Sequence, residues 1–129
     1  MKLGDFAYIA ETKKDFDEAV ISVLKAADKK GWAVFAVYDV RERLAAKGFS
    51  QGKLKIIEIC SAKHADAFLR KNRFVSLCMP CKINVLGQGE KALIAGMKPG
   101  MLPEFFPEVS KEEAMPIEEE RIEIIENAR

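Results

Sequence analysis

The sequence predicts an α+β domain: a single sheet of about five mixed strands with helices packed on it, followed by a C-terminal helical tail. Three observations carry that expectation. Short runs of β-branched and apolar residues alternate with longer stretches of 3.6-residue periodicity. Two late runs flank Gly87-Gln88-Gly89, the signature of a hairpin. At 129 residues the chain fits one domain, large enough to fold around its own core without a disulfide or a metal.

Taken in order, Phe6–Ala10 reads as a first strand. Thr12, with Asp15 three residues on, reads as the cap of a helix over Lys13–Lys30. Its apolar ladder is Phe16, Ala19, Val20, Val23, Leu24 and Ala27, and Gly31 is placed to end it. Trp32–Tyr38 is apolar on both alternating sets, which predicts a central strand covered on both faces. Asp39 and Glu42 form a second cap pair for a short helix that turns Leu44 and Ala45 inward and stops at Gly48. Lys53–Ile59 is a third strand. Ser61 caps a helix with Ala65, Phe68 and Leu69 inward, and 72–78 reads as a loop returning to the sheet.

Lys82–Leu86 and Lys91–Ala95 make the hairpin. Pro99, Pro103 and Pro107 then prevent long regular structure, so Met101, Phe105 and Phe106 are expected to pack a crossing segment onto the core. Ser110 with Glu113 opens a last helix with Pro116 in its first turn and Ile117, Ile124, Ile125 and Ala128 on one face. The strand–helix alternation implies parallel crossovers early and an antiparallel pair late. A compact domain over 1–103 is expected, with 104–129 an acidic helical extension lying on it or on a partner subunit.

Composition narrows the function classes. Residues 104–129 carry nine acids and three bases, a net −6, which leaves +7 on the rest of the chain. Between Cys60 and Lys82 there are five bases (Lys63, Arg70, Lys71, Arg73, Lys82) against Asp66 alone. Such an excess attracts a small anion or pairs with the acidic tail. It lacks the broad basic face with exposed aromatics that nucleic acid requires, so no nucleic-acid partner is expected. No apolar run is long enough for a membrane span, and the N-terminus lacks the apolar block of a secretory signal. A cytoplasmic location follows as the expectation, with reduced cysteines.

Chemistry concentrates in Cys60–Cys81, which holds all three cysteines and the only histidine. Cys60 ends a strand just before the Ser61 cap, where backbone amides and the helix dipole favour an anion. A thiolate there would be a nucleophile, a sulfur acceptor or a metal ligand, with Lys63 adding positive charge; alternatively Cys60 is a small buried apolar side chain. Cys78-Met79-Pro80-Cys81 is a CxxC pair, but it precedes a strand, whereas the dithiol of a thioredoxin opens a helix. Met79–Pro80 is a candidate cis bond. Cys60, His64, Cys78 and Cys81 together have the spacing C-x3-H-x13-C-x2-C, which suits tetrahedral zinc or an iron site. His64 reads equally as an exposed first-turn residue. A Ser–His–Asp set has no support beside a single histidine without G-x-S-x-G, and no phosphate-binding glycine loop occurs.

Several of these residues carry a resemblance. Thr12 with Phe16, Gly31-Trp-Ala-Val, Tyr38-Asp39-Val40, Lys55–Cys60, Ala65 and Leu77-Cys-Met-Pro-Cys81 together resemble the uncharacterised prokaryotic family called "domain of unknown function 302", over about residues 5–96. The resemblance implies a compact α/β fold able to form a homodimer, and it supplies no established activity. It places Cys60 and Cys81 at the family's recurrent cysteine positions. Cys78 and His64 match no such position, and Ala62 stands where a proline is expected. The residues thus point to thiol-based redox, sulfur-handling or soft-metal chemistry centred on Cys60 and Cys81, with Lys63 and Pro80 as ligand contacts. The alternative is a non-catalytic module, binding a small ligand or a partner subunit, in which the cysteines are structural.

Overall fold

The computed structural model describes residues 1–129. Its elements are a short helix α1 (Leu3–Phe6), β1 (Ala7–Thr12), α2 (Phe16–Lys29), β2 (Ala33–Asp39), α3 (Val40–Ala45), β3 (Leu54–Cys60) and α4 (Ala62–Lys71). A 3₁₀ turn (Arg73–Cys78), β4 (Cys81–Gln88), β5 (Lys91–Met97), a second 3₁₀ turn (Pro99–Met101), α5 (Leu102–Phe105) and α6 (Lys111–Ala128) complete the chain. The fold is α+β with one five-stranded sheet, as the sequence predicts.

The sheet order is β1-β5-β4-β3-β2, and every neighbouring pair is antiparallel. Parallel pairing of the early strands is therefore corrected. β1 and β2 do run the same way, but they sit at opposite edges. α2 carries the chain across the sheet, and β3, β4 and β5 later fill the gap. A crossover read from order alone does not reveal how many strands enter between its ends.

The placement of β2 is a second correction. The strand is an edge, not the centre, and Val34, Phe35 and Val37 are exposed. A register shift between Val34 and Ala36 kinks it, a common device at sheet edges. Its apolar residues on both sides do not mean double cover here.

One sheet face holds the core. Ile57, Ile59, Ile83, Val85 and Ile94 are 0% exposed, under α2 and α6. Close approaches fix both helices on this face: a Cβ at Gly87 would lie 3.7 Å from Phe16 of α2, and one at Gly96 would lie 3.5 Å from Ile125 of α6. Ala114, Ile117, Ile124, Ile125 and Ala128 of α6 belong to the same buried cluster.

Local chemistry explains the boundaries. Asp15, not Thr12, caps α2 by accepting from the Glu18 amide at 2.8 Å, while Thr12 ends β1 and accepts from the Lys14 amide. Asp39 caps α3 as predicted, and Ala45 turns outward instead of inward. Gly31 follows α2 at φ +83, a conformation that costs glycine nothing and other residues strain. The 72–78 loop is a 3₁₀ turn that buries Val75. Ser110 and Glu113 form the reciprocal capping box. Pro116 falls one turn later than expected, inside α6, and Phe105 points to solvent while Phe106 is buried.

Candidate functional site

At the end of the sheet where β3 finishes and β4 begins, the chain leaves an open cleft of about 430 Å³. Each wall has a sequence reason. β3 delivers Cys60, and Ser61 turns the chain into α4, whose inward side presents His64, Ala65 and Phe68. The three-residue period of the 3₁₀ turn puts Val75 and Cys78 on the cleft side, while Phe74 and Leu77 are left exposed. Met79 and Pro80, joined by a cis bond, lead into Cys81 at the head of β4. Pro99, Leu102 and Ile117 close the far side.

The structure brings all three cysteines and the histidine to this one cleft, but not into a ligand set. No group of three or more His, Cys, Asp or Glu side chains converges as a metal site would require, and the thiols are free. The Cys60–His64–Cys78–Cys81 set expected to hold zinc or iron is not gathered into such a group. His64 has a different partner: its Nε2 lies 2.6 Å from Glu120 Oε2 on α6. The Trp32 indole donates to the other Glu120 oxygen at 3.2 Å and lies 6.2 Å from the imidazole, centroid to centroid. Helix α4 holds His64 one turn in, and the register of α6 sets Glu120 opposite it.

Electrostatics also departs from the sequence expectation at Cys60. Burial pushes its thiol above the ordinary value, and the Cys81 charge pushes the same way. The Ser61 side chain makes no cap bond, and Lys63 is exposed outside the cleft. Lys63 instead helps hold down Glu120. Burial alone would raise that carboxyl, but the bonds from His64 and Trp32 and the charges of His64 and Lys63 outweigh it and keep it low. Burial likewise raises Cys81, against the lowering charges of Arg121 and Lys82. At both thiols burial therefore disfavours the thiolate. Cys78 is the exposed one.

Three of the five bases between Cys60 and Lys82 find carboxylate partners. Lys71 pairs with Glu113 at 2.5 Å, Arg70 with Asp66 at 2.9 Å, and Lys82 approaches Glu58 at 4.0 Å. No lysine or arginine lines the cleft.

Arg121 is the residue that sequence reading missed. It is 4% exposed, and its guanidinium donates to the carbonyls of Met97 and Lys82, at the end of the β4–β5 ladder beside Cys81. Gly96 makes room for it, since a Cβ there would come 2.7 Å from Arg121 Nη2. The signal was a lone base on the apolar side of an acidic helix: Arg121 follows Ile117 by four residues and precedes Ile125 by four.

Fold and cleft define a small α+β domain with a thiol-lined apolar pocket at one end of its sheet. The chain belongs to the family described as "Domain of unknown function DUF302", which it matches over residues 8–128. Among solved structures it is similar to the crystal structure of the uncharacterized conserved protein DUF302 from Bacillus stearothermophilus, with 26% identity and a TM-score of 0.89. The match covers 96% of this chain and 98% of that one. Comparison with curated proteins finds no match. The family relation reaches beyond the 5–96 span of the sequence resemblance and includes α6.

Proposed function

We propose that this protein is a binding module for a small, largely apolar ligand, seated in the cleft between α4, the 3₁₀ turn and α6. The observation that carries the reading is the lining: nine of its thirteen residues are hydrophobic, and none is a lysine or arginine. Polarisable sulfur from Cys60, Cys78, Met79 and Cys81 suits a ligand with a thiol or thioether group. His64, oriented by Glu120, gives the site a hydrogen-bonding group. A free carboxylate or phosphate would meet no cation inside the cleft.

Trp32 is the only tryptophan and stands beside His64, so its fluorescence reports on the site. Titration with a short alkyl thiol is expected to change that fluorescence with a single saturating site. Ala65→Phe, which fills the cleft, is expected to abolish the change while leaving the melting temperature near that of the wild type. Unaltered affinity in a folded Ala65→Phe variant would overturn the reading.

A second reading, thiol-based redox or sulfur handling at Cys60 and Cys81, is supported by the gathering of all three thiols on one cleft. It ranks second because burial raises both of those thiols, and the thiolate is the reactive form. Loss of function in Cys60→Ser with the fold intact would promote it.

A further inference from the structure

The contact between Glu120 and His64 does more than place the imidazole, because it decides which ring nitrogen holds the proton. The two oxygens of Glu120 have different partners. Oε2 lies 2.6 Å from His64 Nε2, and Oε1 accepts from the Trp32 indole at 3.2 Å. Although burial raises this carboxyl, the bonds from His64 and Trp32 hold it below its ordinary value, so it is a carboxylate that only accepts. A carboxylate facing Nε2 requires a proton on that nitrogen. A neutral imidazole carries one N–H, which leaves Nδ1 as an acceptor. The ring makes its one hydrogen bond within the chain through Nε2, and it stands in the wall of the cleft.

Beside the three thiols, the cleft lining has two polar side chains, Ser61 and His64. A hydroxyl rotates to donate or to accept, so Ser61 does not tell a donor from an acceptor. An imidazole of fixed tautomer does. The tautomer is only as fixed as Glu120, and Trp32 anchors that side chain. Its indole is buried, and its N–H can donate but not accept.

We propose that the Trp32–Glu120–His64 chain holds the imidazole as the Nε2–H tautomer, so that the cleft selects a small alkyl thiol, whose S–H donates to Nδ1, over a thioether of the same size. This rests on the ligand-binding reading of the cleft and narrows its ligand class from sulfur compounds in general to thiols. A thioether makes the same contacts with the sulfur-rich wall, but it has no proton to donate and sets its lone pairs against that of Nδ1. His64 is the specificity-determining contact, and Glu120 is a positioning residue that acts through it. Trp32 also dictates how a carboxamide sits in place of Glu120. In Glu120→Gln the indole N–H holds the amide oxygen and turns the amide NH2 toward His64 Nε2. Nε2 must then accept, and the ring proton moves to Nδ1.

The test pairs n-butanethiol with diethyl sulfide, two isomers that differ in whether the sulfur carries a hydrogen. Nitrogen NMR of labelled histidine reads the tautomer of the full chain at about pH 8, where an ordinary imidazole is neutral. Titration of the same samples, kept reduced under argon, reads the two affinities. The wild type is expected to show the Nε2–H tautomer and to bind the thiol about three- to tenfold more tightly than the sulfide, the factor given by one net hydrogen bond. Glu120→Gln is expected to show the Nδ1–H tautomer, and His64→Phe to lack the acceptor; in both, the preference for the thiol disappears. Each ratio compares two ligands on one protein, so a change in stability alone does not move it. An Nδ1–H or doubly protonated ring in the wild type overturns the inference. So does equal affinity for the two isomers; if Ala65→Phe then abolishes both, the cleft stands as a binding site and only the selection of thiols is lost. Binding of neither isomer overturns the ligand-binding reading and this inference with it.

Discussion

The buried core and the cleft are made of the same kinds of side chain, yet one is closed and the other open. Ile57, Ile83, Ile94, Ile124 and Ile125 sit between two long helices and a sheet, and their exposure is at most 1%. Met79 and Leu102 are just as apolar but only half-buried, and the end of a six-residue 3₁₀ turn and a proline-rich connection hold their backbone. Long amphipathic helices can settle until the space between them and the sheet is filled. Short turns with fixed φ at Pro80 and Pro99 cannot slide in this way, and the gap between them stays. Hydrophobicity alone therefore does not separate packing from a site; the stiffness and length of the supporting backbone do.

Substitutions sharpen this contrast. The largest loss is expected for Ile83→Ala, at about 2–5 kcal/mol by chemical denaturation, because the core cannot collapse onto the vacated space. Arg121→Met follows: it removes donors from two ladder-end carbonyls, an expected cost of about 1–3 kcal/mol. Met79→Ala is expected to cost less than about 1.5 kcal/mol, since one side of that residue already meets open space and less packing is lost than in a closed core. Its effect should instead be on alkyl thiol affinity. Equal losses for Ile83→Ala and Met79→Ala would mean that the cleft is packed as tightly as the core.

The Glu120–His64 contact adds a smaller, pH-dependent effect. A carboxyl whose value is lowered on folding contributes stability above its unfolded pKa and loses it as the pH falls through the folded one. The melting temperature should thus drop on acidification below the usual carboxylate range, and Glu120→Gln should flatten part of that drop.

Much of the fold was legible because its signals are local. Asp39 with Glu42, Ser110 with Glu113, Gly31 after α2 and the Gly87–Gly89 hairpin each depend on residues within a few positions. Strand order was not, because β2 and β3 have similar apolar sequences and only the neighbours they acquire make one an edge and the other interior. Of the residues the sequence singles out, Cys60, His64, Cys78, Pro80 and Cys81 all line one cleft. Their surroundings were not legible, because the partner of His64 is 56 positions away in the tail, and the burial that raises Cys60 and Cys81 comes from packing on distant segments. Arg121 went unread for the same reason: its acceptors lie on β4 and β5.

The most direct test of the cleft as a binding site in which burial disfavours the thiolate is the residue-resolved rate of alkylation by iodoacetamide at pH 7, with and without a saturating short dialkyl thioether. Fast labelling of exposed Cys78, slow labelling of Cys60 and Cys81, and further slowing of these two by the ligand is the expected result. Cys60 or Cys81 reacting fastest, unaffected by the ligand, would contradict it and make the thiols the chemistry of the protein.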